Sequence, residues 1–393
     1  MDDDVVVGAR IRRCRRTRGM SLDQAAGLAG ISKPYLSRLE RGERSIDSRA
    51  LLNQIAFALE ASVSDLTGQP CRPHDRDLAQ ARRGVSGTRL ALLDPSGPGR
   101  PEAEIADTIA NLDRLMNSCN LVEQARVIPD LLRWTQQSAL HVGSRQTHRR
   151  VVVAAYAATF FARNLGEYDL AWIAADRMRS AAEKTCDPAI IGFSAYAQAH
   201  ALASAGAWRP AVATAMAAAD TTTGSGAEDL AAHGSCLLVS AATTAKLGNI
   251  DGARARLDEA AKLAERLNVP TLIARHTSFA PWNVTMHRVS VEVESGNPAA
   301  ALAAARPLTR APIGHQERMS YLWVDVGRAL SSLGHHRAAI EALRRAERTA
   351  PLRVRLSPVV RNSVRDLLDK NYRFAGGAQL RGLAERCGVL IDV

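Results

Sequence analysis

Residues Arg12–Gly42 read RRCRRTRGMSLDQAAGLAGISKPYLSRLERG. Leu22, Ala25, Ala26 and Leu28, then Ile31, Leu36 and Leu39, recur at helical spacing, so two short helices can pack on one another. Between them lies the turn Gly30-Ile31-Ser32. Ser32 predicts a helix start, because its hydroxyl can accept from a backbone N–H one turn on. Pro34 then falls in the first turn, where a missing N–H costs nothing. Lys33, Tyr35, Ser37 and Arg38 are left pointing outward. Cationic and hydrogen-bonding groups on one exposed helical face suit the edges of a DNA major groove. From Gly8 to Arg44, ten lysines and arginines oppose only Asp23, Glu40 and Glu43. Such charge supplies sequence-independent attraction by releasing counterions from DNA. The expectation is a double-stranded DNA partner, with base edges read by Lys33, Tyr35, Ser37 and Arg38 alongside Ser32 and Pro34. Arg41 and Arg44 would hold phosphates.

The order of residues resembles the helix-turn-helix of the Xre family, the lambdoid repressor type. Met20, Ser21, Ala26, Gly30, Ile31, Ser32, Tyr35, Leu36, Ser37, Leu39, Glu40 and Gly42 fill that family's slots over about the first 66 residues. The chain departs from it at Leu22, where many relatives carry a Gln that touches a phosphate, and at Ala25 and Gly27. The resemblance implies that Arg15 and Glu40 form a structural ion pair.

The remaining length, 393 residues at a net charge of +11, fits two or three domains. Six cysteines lie scattered without a C-x-x-C pair, which suggests neither a zinc site nor a disulfide framework. Met1 is followed by three aspartates rather than a signal peptide. Pro188–Trp208 lacks Lys, Arg, Asp and Glu but is mostly alanine with polar interruptions, which favours a buried helix over a membrane span. A reduced, soluble, cytoplasmic protein is expected. No Gly-rich phosphate loop, G-x-S-x-G or H-E-x-x-H occurs, so neither an enzyme, a metal site nor a cofactor is expected.

Composition marks the seams. The first domain is expected over 1–70, ended by Pro70, Pro73 and His74. A linker with a short helix (75–93) is expected over 71–103, closing with the Pro/Gly loop from Asp94 to Pro101. From 104 to 393 the chain reads as helix, broken at Gly, Asn or Pro. Five breaks share one frame, glycine followed five residues later by alanine: Gly166/Ala171, Gly206/Ala211, Gly248/Ala253, Gly296/Ala301 and Gly334/Ala339. The glycines are 40, 42, 48 and 38 residues apart. Glycine permits a sharp turn between antiparallel helices, and small residues let helices approach closely. The frame resembles the tetratricopeptide repeat, with Pro351 where that repeat ends in proline. The implied fold class is all-α: a lambda-repressor-like helix-turn-helix domain, then a right-handed superhelix of tetratricopeptide-like repeats. Residues 357–387 would form a helical cap.

By that resemblance the first helix of each pair lines a concave face, where such arrays bind partners. Counting back from each turn glycine gives Tyr156, Phe160, Arg163 and Asn164, then Phe193, Tyr196 and His200. Asn283 and Met286 follow, and Tyr321 and Arg328 come last. The segment from His276 to His287 interrupts the period and adds Trp282 and His287. Aromatic walls with Asn and Arg suit a peptide or small signalling molecule, since Asn can bond both an N–H and a C=O of a peptide backbone. The architecture resembles the peptide-pheromone receptors of Gram-positive bacteria and actinobacterial regulators of similar design. It implies a homodimeric transcription regulator on a palindromic operator, controlled by an effector in the groove. The alternative is a regulator whose repeats serve only protein–protein interaction or dimerisation.

Overall fold

The computed structural model describes residues 3–44, 46, 49–61, 66, 76–97, 99–370 and 377–389. Within them every regular element is a helix, and none is long and apolar enough to cross a membrane. The chain divides into two compact units. One comprises residues 1–75, 334–344 and 354–393, the other residues 76–333 and 345–353.

The first unit opens with α1 (Asp3–Thr17), α2 (Leu22–Leu28), α3 (Lys33–Glu40) and α4 (Arg49–Ala58). Ser21 closes a capping box at the start of α2: its hydroxyl accepts from Gln24 N at 3.2 Å, and its own N–H donates to Gln24 Oε1 at 2.9 Å. Gly30 turns the chain at φ +64°, and Ser32 caps α3. Ile11, Cys14, Ala25, Ala26, Leu36, Leu39, Ile55 and Leu59 form the core. Each buried leucine here contributes roughly 1.5–3 kcal/mol. The expected domain end at residue 70, the break at Pro70, Pro73 and His74, and linker residues 71–75 lie outside the described residues.

The second unit runs through α5 (Arg76–Leu93), α6 (Glu102–Asn117), α7 (Leu121–Val142), α8 (Arg145–Asn164), α9 (Tyr168–Glu183) and α10 (Pro188–Ser204). It continues with α11 (Trp208–Thr221), α12 (Ala227–Lys246), α13 (Ile250–Arg266), α14 (Leu272–Thr277), α15 (Pro281–Glu294), α16 (Pro298–Arg310) and α17 (Gln316–Ser332). After it, α18 (His336–Thr349) and α19 (Pro351–Leu356) are each divided between the two units, and α20 (Pro358–Lys370) and α21 (Gly377–Cys387) belong to the first. The five frame glycines all take the left-handed conformation, φ +74° to +84°, at the turn between paired helices. Five residues on, Ala171, Ala211, Ala253, Ala301 and Ala339 are buried. Several helix starts have a local cause: Ser144, Asp187, Asn249, Thr271 and Asn297 accept backbone N–H bonds, and Pro188, Pro281 and Pro298 sit in first turns.

Two expectations change. The short helix foreseen inside a linker is an eighteen-residue helix, α5, packed into the core of the second unit through Ala81, Val85, Ala91 and Leu92. A Cβ on Gly84 would lie 2.4 Å from the Cβ of Ala125, so glycine there lets α5 press against α7. The expected cap (357–387) consists of α20 and α21, tied by Arg361 Nε donating to the Cys387 carbonyl at 2.9 Å. These helices belong to the first unit rather than to the end of a repeat domain running from 104 to 393.

Candidate functional site

On α3 the core side carries Leu36, Leu39 and the Glu40 carboxylate. Glu40 accepts from Arg15 Nε at 2.6 Å and Nη2 at 2.8 Å, and Arg15 Nη1 donates to the Met20 carbonyl at 2.9 Å. This implied ion pair is present and buried, and it clamps α1, the following turn and α3 together. On the opposite side Ser32, Lys33, Pro34 and Arg38 are exposed and Tyr35 and Ser37 half-buried; Arg41 and Arg44 are exposed just beyond. Arg44 lies over the Tyr35 ring at 4.7 Å, and Arg38 Nε donates to the Pro34 carbonyl at 3.4 Å. The eight residues expected at a nucleic-acid interface therefore occupy one short helix and its flanks.

Some of these cations are paired in ways the sequence reading missed. Lys33 Nζ lies 2.7 Å from Asp23 Oδ2. Arg41 Nε lies 2.6 Å from Glu43 Oε1, and its Nη1 donates to Ser37 Oγ at 2.8 Å. The Arg41 hydrogen bond holds the Glu43 carboxyl below its usual range. Exposed pairs of this kind are weak and easily exchanged, so an incoming phosphate can replace either carboxylate. The Glu43 partner is two residues from Arg41 and visible in sequence, whereas Asp23 is ten residues from Lys33 and needs the helix-turn-helix geometry to reach it.

The core of the second unit gathers most of the expected groove residues. Tyr156 and Phe160 of α8 have ring centroids 4.6 Å apart, and Tyr156 is 4.9 Å from Phe193 of α10. Tyr196 and His200 of α10 are 4.6 Å apart, and Phe160 is 5.4 Å from His200. His276 of α14 completes the cluster, 5.9 Å from Phe193. Such aromatic contacts add about 0.5–1.5 kcal/mol each beyond burial. Arg163 lies over the rings of Phe160 and Tyr321, at 5.6 and 5.7 Å, and donates to Ser204 Oγ at 2.8 Å. Asn164 Nδ2 donates to Glu317 Oε1 at 3.0 Å.

The interrupting segment from His276 to His287 forms the meeting point. Glu228 accepts from the Leu272 and Ile273 N–H groups at 3.1 and 3.0 Å, fixing the start of α14. At its other end, the His276 carbonyl accepts from Tyr156 Oη at 2.6 Å. The Thr277 carbonyl accepts from Asn283 Nδ2 at 3.3 Å and Arg318 Nη2 at 3.0 Å. Arg318 Nη2 is also 3.2 Å from Tyr196 Oη. Below, Phe279 fills the space over Gly234, where a Cβ would stand 1.9 Å from the ring. His276 Nδ1 is 2.7 Å from Asp113 Oδ1, which links α6 to α14. Burial would push the Asp113 carboxyl up, but His276, Arg275 and His315 together bring it below the usual range.

Other expected groove residues go elsewhere. Phe193, Asn283 and Met286 are buried, a property they share with Tyr156, Phe160 and Tyr196. One Asn283 amide N–H is engaged by the Thr277 carbonyl. Trp282 sits 5.1 Å from the His315 ring, and Arg328 pairs with Glu294 at 2.9 Å and Asp325 at 3.2 Å. Burial and the charges of Arg318 and Arg163 hold His287 down at about 3. Burial, with Arg163 and Arg318, likewise keeps His200 well below its ordinary value, so both imidazoles are neutral near pH 7. The sequence reading missed Arg318, Glu317, Arg353 and Asp113. Only Arg318 left a signal there, one helical turn before Tyr321.

Residues 6–67 match the family described as "Helix-turn-helix domain". The chain is 34% identical over 64 residues to the HTH-type transcriptional regulator SinR of Bacillus licheniformis, covering 16% of this chain and 58% of that protein. It is 36% identical over 61 residues to the HTH-type transcriptional regulator SlrR of Bacillus subtilis, covering 16% and 40%. The chain thus spans about half the length of the curated relatives it matches. Two solved structures superpose over most of the chain. Bacillus thuringiensis PlcR, in complex with the peptide PapR7 and DNA, does so at a TM-score of 0.33 and 11% identity, covering 88% of this chain and 94% of that one. The competence regulator ComR of Streptococcus vestibularis, in apo form, gives 0.34 and 14%, covering 93% and 99%. Likeness of that degree fixes nothing about this chain.

Proposed function

We propose that this chain is a sequence-specific DNA-binding transcription regulator whose operator affinity is set by a ligand, a peptide or small signalling molecule, on the inner face of its helical repeats. The observation that carries the DNA half is the outer side of α3: Lys33, Tyr35, Ser37 and Arg38 on a short helix backed by the Arg15–Glu40 clamp. Lys33, Tyr35, Ser37 and Arg38 meet base edges and Arg41 and Arg44 meet phosphates. A single module makes few phosphate contacts, so the active species is a homodimer on a palindromic site with half-sites about one DNA turn apart. Its setting is the cytoplasm.

Selection from a random double-stranded library with the full chain should enrich one two-fold symmetric motif. An unenriched pool at moderate salt refutes sequence-specific reading. The ligand half rests on the aromatic and polar side chains gathered by α8, α10, α14 and α17. A low-molecular-mass extract of the source cells should shift operator affinity at least roughly fivefold, the lower end of typical coupling. A full chain whose operator affinity no extract moves supports the second reading, in which the repeats only assemble the dimer. That reading is favoured by the way α17 side chains already bond across to Asn164 and Tyr196.

A further inference from the structure

Three arginines converge on the inner face, and every hydrogen bond they make goes to a neutral acceptor. Arg163 of α8 donates to Ser204 Oγ. Arg318 of α17 donates to Tyr196 Oη and the Thr277 carbonyl. Arg353 of α19 donates to Ser320 Oγ at 2.9 Å. The Tyr321 ring lies between Arg353, 3.2 Å from its centroid, and Arg163, so the cations form a strip along Tyr196, Phe160 and Tyr321. Glu317 faces the strip, and its Oε1 accepts from Asn164. One carboxylate against three guanidiniums leaves a local excess of positive charge.

Some other arginines of the unit are matched by carboxylates. Arg254 makes a two-pronged pair with Glu292 at 2.9 and 2.8 Å, and Arg328 has both Glu294 and Asp325. Arg145, Arg177 and Arg256 elsewhere in the unit also bond only neutral acceptors, so what sets this cluster apart is that three such arginines stand around shared aromatic rings. A second observation points the same way. His200 Nε2 and Arg353 Nε are buried without a hydrogen-bond partner, in residues only 8% and 6% exposed. Buried cations without counter-charge and buried N–H groups without acceptors are both costly, and an anion between them relieves both.

We propose that the inner face takes its ligand by an anionic group, a carboxylate or a phosphate, seated between Arg163 and Arg318 with His200 Nε2–H donating beside it, while the rings of Phe160, Tyr196 and Tyr321 cover the remainder. Guanidinium forks match both anions in two-pronged geometry. The proposal rests on the ligand reading above and specifies the chemistry the ligand must carry.

The test is calorimetric titration of the full chain with inorganic phosphate, with citrate, and with N-acetyl-Ala-Phe as free acid and as C-terminal amide. A millimolar or tighter site is expected for phosphate or for the carboxylates, and the anion preferred identifies the source. The amide should bind at least roughly tenfold more weakly than the acid. Arg163→Gln and Arg318→Gln should each abolish that site while circular dichroism stays native. Binding that survives both substitutions belongs to the basic N-terminal helices and overturns the proposal. So does equal binding of acid and amide by the unmodified chain, a comparison that holds even if a variant misfolds, and so does the absence of any millimolar site. Anion binding that leaves operator affinity unmoved would refute the regulatory reading alone. An uncharged effector that shifts operator affinity would refute the present proposal alone.

Discussion

The arginines of α3 and those of the inner face carry the same charge in opposite surroundings. Around α3, Lys33 and Arg41 stand in water beside Asp23 and Glu43, pairs that cost little to make and little to break. Arg318 and Arg353 are buried, with a hydroxyl, a carbonyl or an aromatic face for company. Exposed charge serves a polyanion that arrives in many registers, since any phosphate can displace a loose carboxylate. Buried charge serves a single anion in a single geometry, because the surrounding structure has already excluded the alternatives. The contrast separates general attraction from selective recognition within one chain.

The sharpest way to break that contrast lies in the first unit, where Arg15 and Glu40 are buried and matched. Glu40→Ala should cost about 3–5 kcal/mol, because it strands a buried guanidinium; urea denaturation of the full chain reads it. A loss near that of a surface pair would show that burial is not what distinguishes the two kinds of arginine. Next comes Arg38→Ala, expected to weaken operator binding by about 1–3 kcal/mol and relax selectivity at one base pair. Anisotropy with operator and scrambled DNA checks it, and an unchanged ratio between them would move base reading away from α3.

A third test uses protons. His287 is held at about 3 in the folded chain against an ordinary 6.5, so the unfolded chain binds the extra proton between those values. Stability should therefore fall as pH drops below about 6.5. His287→Gln should flatten that slope in urea midpoints taken from neutral to mildly acidic pH; an unaltered slope would assign it to other groups. The smallest effects belong to the exposed charges. Arg44→Ala should reduce the slope of log affinity against log salt by about 1. Asp23→Ala should change stability by no more than about 1 kcal/mol while strengthening DNA binding slightly.

Local rules made much of this molecule readable in sequence. The capping serine at 32, the five turn glycines and the buried alanines five residues after them depend on neighbours within one or two turns. The aromatic wall was legible for a related reason: a fixed offset from each turn glycine puts Tyr156, Phe160, Tyr196 and His200 on one side. What stayed hidden depends on distant segments. Nothing near Asp113 marks it as the partner of His276, and nothing near Asn164 points to Glu317. Nothing in sequence showed that the Asn283 amide would donate to the Thr277 carbonyl six residues before it. The packing of α5 was hidden because the partner of Gly84, Ala125, lies 41 residues away in sequence.

The bonds that end on α14 and α17 bear on how the second unit folds. In an ideal stack each hairpin touches only its neighbours, so ends fray and melting spreads stepwise. Here Tyr156 reaches His276 across 120 residues, Arg318 reaches Tyr196 across 122, Asn164 reaches Glu317 across 153 and His315 reaches Asn117 across 198. Those closures penalise partial unfolding, since opening an outer hairpin also strands polar groups far along the chain. They also defer consolidation until nearly the whole unit has been synthesised, because the partners of α6 and α8 emerge last. The second unit should accordingly exchange its amide protons in one cooperative block rather than in a gradient from its ends.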